Sequence, residues 1–147
     1  MDNANEMKLE LNSIAQNESF ARIVVAAFMS TTNPTLEEVL DVKTAVSEAV
    51  TNSIIHGYER GVGKIEIYAR VVDRSLYLEI TDYGRGIDNV EKAMEPLYTT
   101  KPEQDRSGMG FSFMEAMMNK IEVISKPEKG TKVKMWKEIG EESHLLD

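Results

Sequence analysis

The chain contains no cysteine, which excludes disulfide cross-links, a thiolate nucleophile and a zinc–thiolate centre. It has a single tryptophan and only four prolines. Its longest apolar stretches, such as residues 23–29, fall far short of the roughly 20 residues that span a bilayer. Basic side chains are outnumbered 17 to 25, for a net charge of −8. Such a surface repels a nucleic-acid backbone, so any polyanion must be met by a local cluster of donors. Residues 1–6, Met-Asp-Asn-Ala-Asn-Glu, lack the basic start and apolar segment of an export signal, and a cytoplasmic location without a membrane partner is expected. What is present fits one globular domain with its own core: 147 residues, 41% hydrophobic and 29% charged.

Met7, Leu9 and Leu11 alternate with polar neighbours and predict an edge strand. From Asn17 the period changes. Phe20, Ile23, Val24, Ala27 and Phe28 predict the buried face of a helix ending near Thr32. Arg22, Val25 and Met29 then fall on the opposite side, as a second narrow stripe suited to docking a partner. Thr35 and Glu38 have capping-box spacing and open a second helix that reaches about Ile55, with Gly57 as C-cap. Alternation at Ile65, Ile67, Ala69 and Val71, a turn at residues 73–75, and alternation at Leu76, Leu78 and Ile80 predict an antiparallel pair. Residues 82–107 read as a long functional loop with one helical turn near residues 90–94. Residues 108–119 predict a helix whose methionines, Met109, Met114, Met117 and Met118, fill the core. A closing hairpin joins residues 121–125 to residues 131–136, and the last eleven residues are expected to fray. The expected class is α+β: a two-layer sandwich with an antiparallel or mixed sheet and helices on one face.

Glu48, Asn52 and His56 are spaced four apart and share a helix face. They would suit a proton acceptor and an oxygen ligand for a hard cation, or simply a solvated stripe. Asp82-Tyr83-Gly84-Arg85-Gly86 follows a strand, where the carboxylate can accept from an exocyclic amine and the glycines permit close backbone approach. It is neither a Rossmann fingerprint nor a Walker A loop. Ser107-Gly108-Met109-Gly110-Phe111 opens a helix with free amides beside Lys101 and Arg106, a phosphate cradle or a plain hinge. Lys129-Gly130-Thr131 offers one hydroxyl near the sheet end.

The four motifs in this order resemble the N, G1 and G2 boxes of the ATP-binding fold shared by gyrase-type ATPases, Hsp90, histidine kinases and MutL. The likeness runs from about Leu36 to Trp136. Within that superfamily, residues 47–58, together with residues 96–102 and 106–111, are similar to the small bacterial anti-sigma factor serine kinases, and most of all to their sporulation branch.

That resemblance implies ATP or ADP with Mg²⁺ as ligands, Asn52 at the metal and phosphates, and Glu48 as catalytic base. Asp82 would accept from the adenine amine, with Thr131 sharing the network and Gly84 and Gly86 forming the floor under base and sugar. Residues 98–110 would be a lid, with Thr99, Lys101, Arg106, Ser107, Gly108, Met109, Gly110 and Phe111 at the nucleotide. Ordering of the lid on ATP would couple nucleotide state to partner choice. The implied partners are a sigma factor held from RNA polymerase, an anti-anti-sigma protein carrying the acceptor serine, and a second copy of the chain. A nucleotide-gated binding module without productive transfer and a stress-response anti-sigma kinase are the alternatives.

Overall fold

The computed structural model describes residues 4–95 and 110–140. Strand β1 (Asn5–Asn12) leads into helix α1 (Gln16–Met29), a 3₁₀ turn (Ser30–Thr32) and helix α2 (Leu36–Asn52). A π-helical turn (Ser53–Gly57) prolongs α2 before strands β2 (Lys64–Val72) and β3 (Ser75–Asp82). The short helix α3 (Val90–Ala93), helix α4 (Gly110–Met117), and strands β4 (Lys120–Lys126) and β5 (Gly130–Glu138) follow. The sheet order is β1-β2-β3-β5-β4, and all four pairings are antiparallel rather than mixed.

Alternation along the strands determines which side chains meet the helices. Ile65, Ile67, Ala69 and Val71 on β2, Leu76, Leu78 and Ile80 on β3, and Val133 and Met135 on β5 are buried with Val42, Val46 and Val50 of α2 in one core. Fully burying each large aliphatic chain contributes about 1.5–3 kcal/mol. Met114 and Met118 join this core as the sequence predicts. At the start of α2 the capping box forms: Thr35 Oγ1 accepts from the Glu38 amide at 3.1 Å, and Glu38 Oε1 accepts from the Thr35 amide at 2.8 Å.

Two expectations are corrected. Helix α1 turns the other way: Ala21, Val25 and Met29 are fully buried, whereas Phe20 and Ile23 are about half exposed. Val25 and Met29 are therefore core residues and cannot form a docking stripe. Both faces of α1 are apolar, so periodicity could not choose between them. Ala21, with no bulk beyond Cβ, suits the face that packs on α2.

Nor does the chain fray from residue 137. Lys137 and Glu138 lie in β5, and Ile139 is buried. Arg74 Nε donates to the Ile139 carbonyl at 2.8 Å and its Nη1 to the Thr32 carbonyl at 2.7 Å. The Gly140 amide donates to buried Glu38 Oε2 at 2.6 Å. This clasp ties the chain after β5 to the entrance of α2.

Candidate active site

A cleft of about 910 Å³, its open mouth included, lies between the end of α2, the chain after β3 and the start of α4. Asn52, Ser53, His56, Asp82, Gly86 and Thr131 are among the residues that line it.

Asp82 is the key polar group. Alternation puts it in the inward row Leu76, Leu78, Ile80, Asp82, so the strand that builds the core delivers a carboxylate to the cleft at its last residue. The side chain is only 4% exposed. Ser53 Oγ donates to its Oδ2 at 2.8 Å and the Gly84 amide to its Oδ1 at 3.0 Å, with the Thr131 amide as a third donor. Burial pushes the carboxyl above the ordinary aspartate range, and those three donors oppose the rise.

The glycines serve this arrangement in different ways. A Cβ at Gly57 would lie 2.9 Å from Asp82 Oδ1, so its role is room for the carboxylate rather than a simple C-cap. Gly84 packs on Gly57, where a Cβ would run into the Gly57 carbonyl. Gly86 has φ +75° and lines the cleft against the Lys126 carbonyl, which a side chain would strike. Tyr58 fixes the strand end: its hydroxyl donates to the Lys64 carbonyl at 2.5 Å and accepts from the Tyr83 amide at 2.8 Å.

At the other end, Asn52 and Glu48 converge on the start of α4. A Cβ at Gly110 would stand 3.1 Å from Asn52 Nδ2 and 3.4 Å from both Asn52 Oδ1 and Glu48 Oε2. An amide oxygen and a carboxylate flanking a position with no side chain form a cradle whose donors fit a hard cation. Among the described residues no cluster of three or more His, Asp or Glu could hold a metal. His56 joins Asn52 at the cleft across the π-helical turn.

The predicted set is thus brought together in part. Glu48, Asn52, Asp82, Gly86, Gly110, Phe111 and Thr131 gather around the cleft. Thr99, Lys101, Arg106, Ser107, Gly108 and Met109 lie outside the described residues. Arg22 stands on α1, its Nε 3.0 Å from Glu18 Oε2 and its side chain 40% exposed. Sequence reasoning missed Ser53, Gly57 and Arg85 at the cleft. The available signal for Ser53 was a lone hydroxyl between Asn52 and the buried pair Ile54 and Ile55.

Residues 12–137 match the histidine kinase-like ATPase domain family. An anti-sigma F factor of Caldanaerobacter subterraneus subsp. tengcongensis is 54% identical over 140 residues, 95% of this chain and 98% of that relative. One from Clostridium kluyveri is 57% identical over 133 residues, 90% of this chain and 94% of its own length. The chain belongs to the anti-sigma F factor family. Its fold also matches a crystal structure of the RsbU and RsbW domains of a Mycobacterium tuberculosis protein, with TM-score 0.66 and 15% identity. That match covers 92% of this chain and 32% of the other, and it supports the fold alone. As a member of that family, the chain is an anti-sigma factor built on an ATPase domain. No helix among the described residues is long and apolar enough to cross a membrane.

Proposed function

We propose that this chain is a protein serine kinase that also sequesters a sporulation sigma factor, using ATP with Mg²⁺ to phosphorylate a serine on its anti-anti-sigma antagonist. The observation that carries the reading is Asp82, a buried carboxylate at the end of the cleft that receives three protein donors and keeps a lone pair for a fourth. Ionised, it is an acceptor only, which suits the amino group of adenine. Asn52 and Glu48 lie at the opposite end, where the triphosphate would extend. Asn52 Oδ1 would help hold Mg²⁺, which supplies charge neutralisation when bound. Glu48 takes the proton of the acceptor serine as its oxygen bonds to the γ-phosphorus and the bond to the ADP oxygen breaks.

The experiment compares wild type with Glu48→Gln, each incubated with ATP, Mg²⁺ and the candidate acceptor. Phosphoserine forming with wild type alone supports the assignment. Equal phosphoserine with the variant removes Glu48 as base, and none with either protein favours the nucleotide-gated binding module.

With α1 oriented this way, the surface we assign to the partner is its outer side. There Phe20 and Ile23 are exposed beside Arg22, an apolar patch with one cation suited to a protein partner. Arg22→Ala should weaken sigma-factor binding while ATP affinity stays near wild type.

A further inference from the structure

Asp82, Thr131 and Ser125 stand side by side on β3, β5 and β4, in register across one end of the sheet. They close a face that is otherwise apolar, the neighbouring rows being Ile80, Val133 and Val123, then Leu78, Met135 and Ile121. Thr131 lines the nucleotide cleft. Ser125 lies behind it, with three close polar partners. Its Oγ accepts from the Ile87 amide at 2.8 Å, lies 2.9 Å from the Gly130 carbonyl, and lies 2.8 Å from Thr131 Oγ1.

A serine hydroxyl has one proton to give and two lone pairs. The Gly130 carbonyl can only accept, so the Ser125 proton goes there. The Ile87 amide can only donate and takes one lone pair. The second lone pair is left for Thr131, whose hydroxyl must therefore donate to Ser125. With its proton committed, Thr131 Oγ1 has only lone pairs for a ligand.

We infer that Ser125 is a positioning residue for base selection, holding Thr131 as an obligate acceptor beside the Asp82 carboxylate. Asp82 already receives the Ser53 hydroxyl and the Gly84 and Thr131 amides, and as an ionised carboxylate it has nothing to donate. Neither of these polar side chains, Asp82 or Thr131, can then offer a hydrogen to the base. A 6-amino purine supplies the hydrogens such a wall needs. A 6-oxo purine presents a lone pair to it, and an unmatched acceptor in a dry site is strongly disfavoured. This inference rests on the cleft being an adenine-nucleotide site and assigns a discriminating role to a residue behind its wall.

The test is the ratio of Kd for ITP over ATP, measured by calorimetry with Mg²⁺. ITP carries a 6-oxo group in place of the amine and a hydrogen on N1 in place of a lone pair, so the change in the ratio between variants is what reads the Thr131 hydroxyl. Wild type should prefer ATP by at least about 100-fold. Ser125→Ala frees the Thr131 hydroxyl to rotate and donate, and the ratio should fall about tenfold, the value of one hydrogen bond. Ser125→Thr keeps the hydroxyl and should retain the ratio within about twofold. In a Thr131→Val background, adding Ser125→Ala should change the ratio by less than about twofold, because the group it acts through is gone.

Thermal melts establish that each variant is folded before titration. Equal weakening of ATP and ITP by Ser125→Ala would make Ser125 mere scaffolding and overturn the inference, as would a ratio change that persists without the Thr131 hydroxyl. Wild type binding neither nucleotide is a distinct outcome that overturns the nucleotide reading itself.

Discussion

Asp82 carries opposite demands. The fold buries it, and the proposed adenine ligand would need it charged. Its carboxyl is raised above the ordinary range because burial outweighs the Ser53, Gly84 and Thr131 donors. The folded chain therefore holds that proton more tightly than the unfolded chain. The group's stabilising contribution is fully present below the ordinary aspartate range and is lost as pH rises through the raised value. Urea melts over a pH series should show that decline in wild type and lack it in Asp82→Asn. ATP affinity should run the opposite way, rising over the same window as the carboxylate becomes a full acceptor. Parity makes the position of Asp82 legible: it is two residues beyond Ile80 on the same strand face. Its partners were less legible, because Ser53 meets it across 29 positions of sequence.

At the scale of elements, short-range signals are read well and choices between similar faces are not. The capping box at Thr35 and Glu38 depends on four consecutive residues and forms as its spacing predicts. Thr35→Ala should cost about 1 kcal/mol, a fall in Tm of about 2–4 °C for a chain of this size. The two faces of α1 differ little in hydrophobicity, and only packing against α2 selects Ala21, Val25 and Met29. The π-helical turn after Asn52 has no periodic signature, yet it brings Ser53 and Gly57 against Asp82. Likewise Ile139 and Gly140 are polar-tail residues by sequence, but Arg74 and Glu38 bind them from distant elements. Gly84 tests the contact between the chain after β3 and that turn. Gly84→Ala forces a methyl into the Gly57 carbonyl and should destabilise by about 1–3 kcal/mol. Urea denaturation measures the loss, and ATP binding should weaken with it as the Asp82 donors shift.

For the molecule as a whole, an acidic chain of net charge −8 accommodates a polyanion only where backbone amides and a few side chains oppose the general field. Five antiparallel strands and the helices of one face put the Asp82 carboxylate at a strand end and the Asn52–Glu48 pair at a helix end, on one cleft. On the proposed reading, partner capture on the outer side of α1 and chemistry at the cleft would be separable. Arg22→Ala and Asp82→Asn should fail in different assays, the first in sigma-factor binding and the second in nucleotide binding. The most direct measurement is calorimetric titration of the folded chain with ATP and Mg²⁺. Saturable heat for wild type, with affinity reduced at least about 100-fold in Asp82→Asn, is the predicted result. Absence of heat for wild type, or undiminished affinity in Asp82→Asn, would contradict the account.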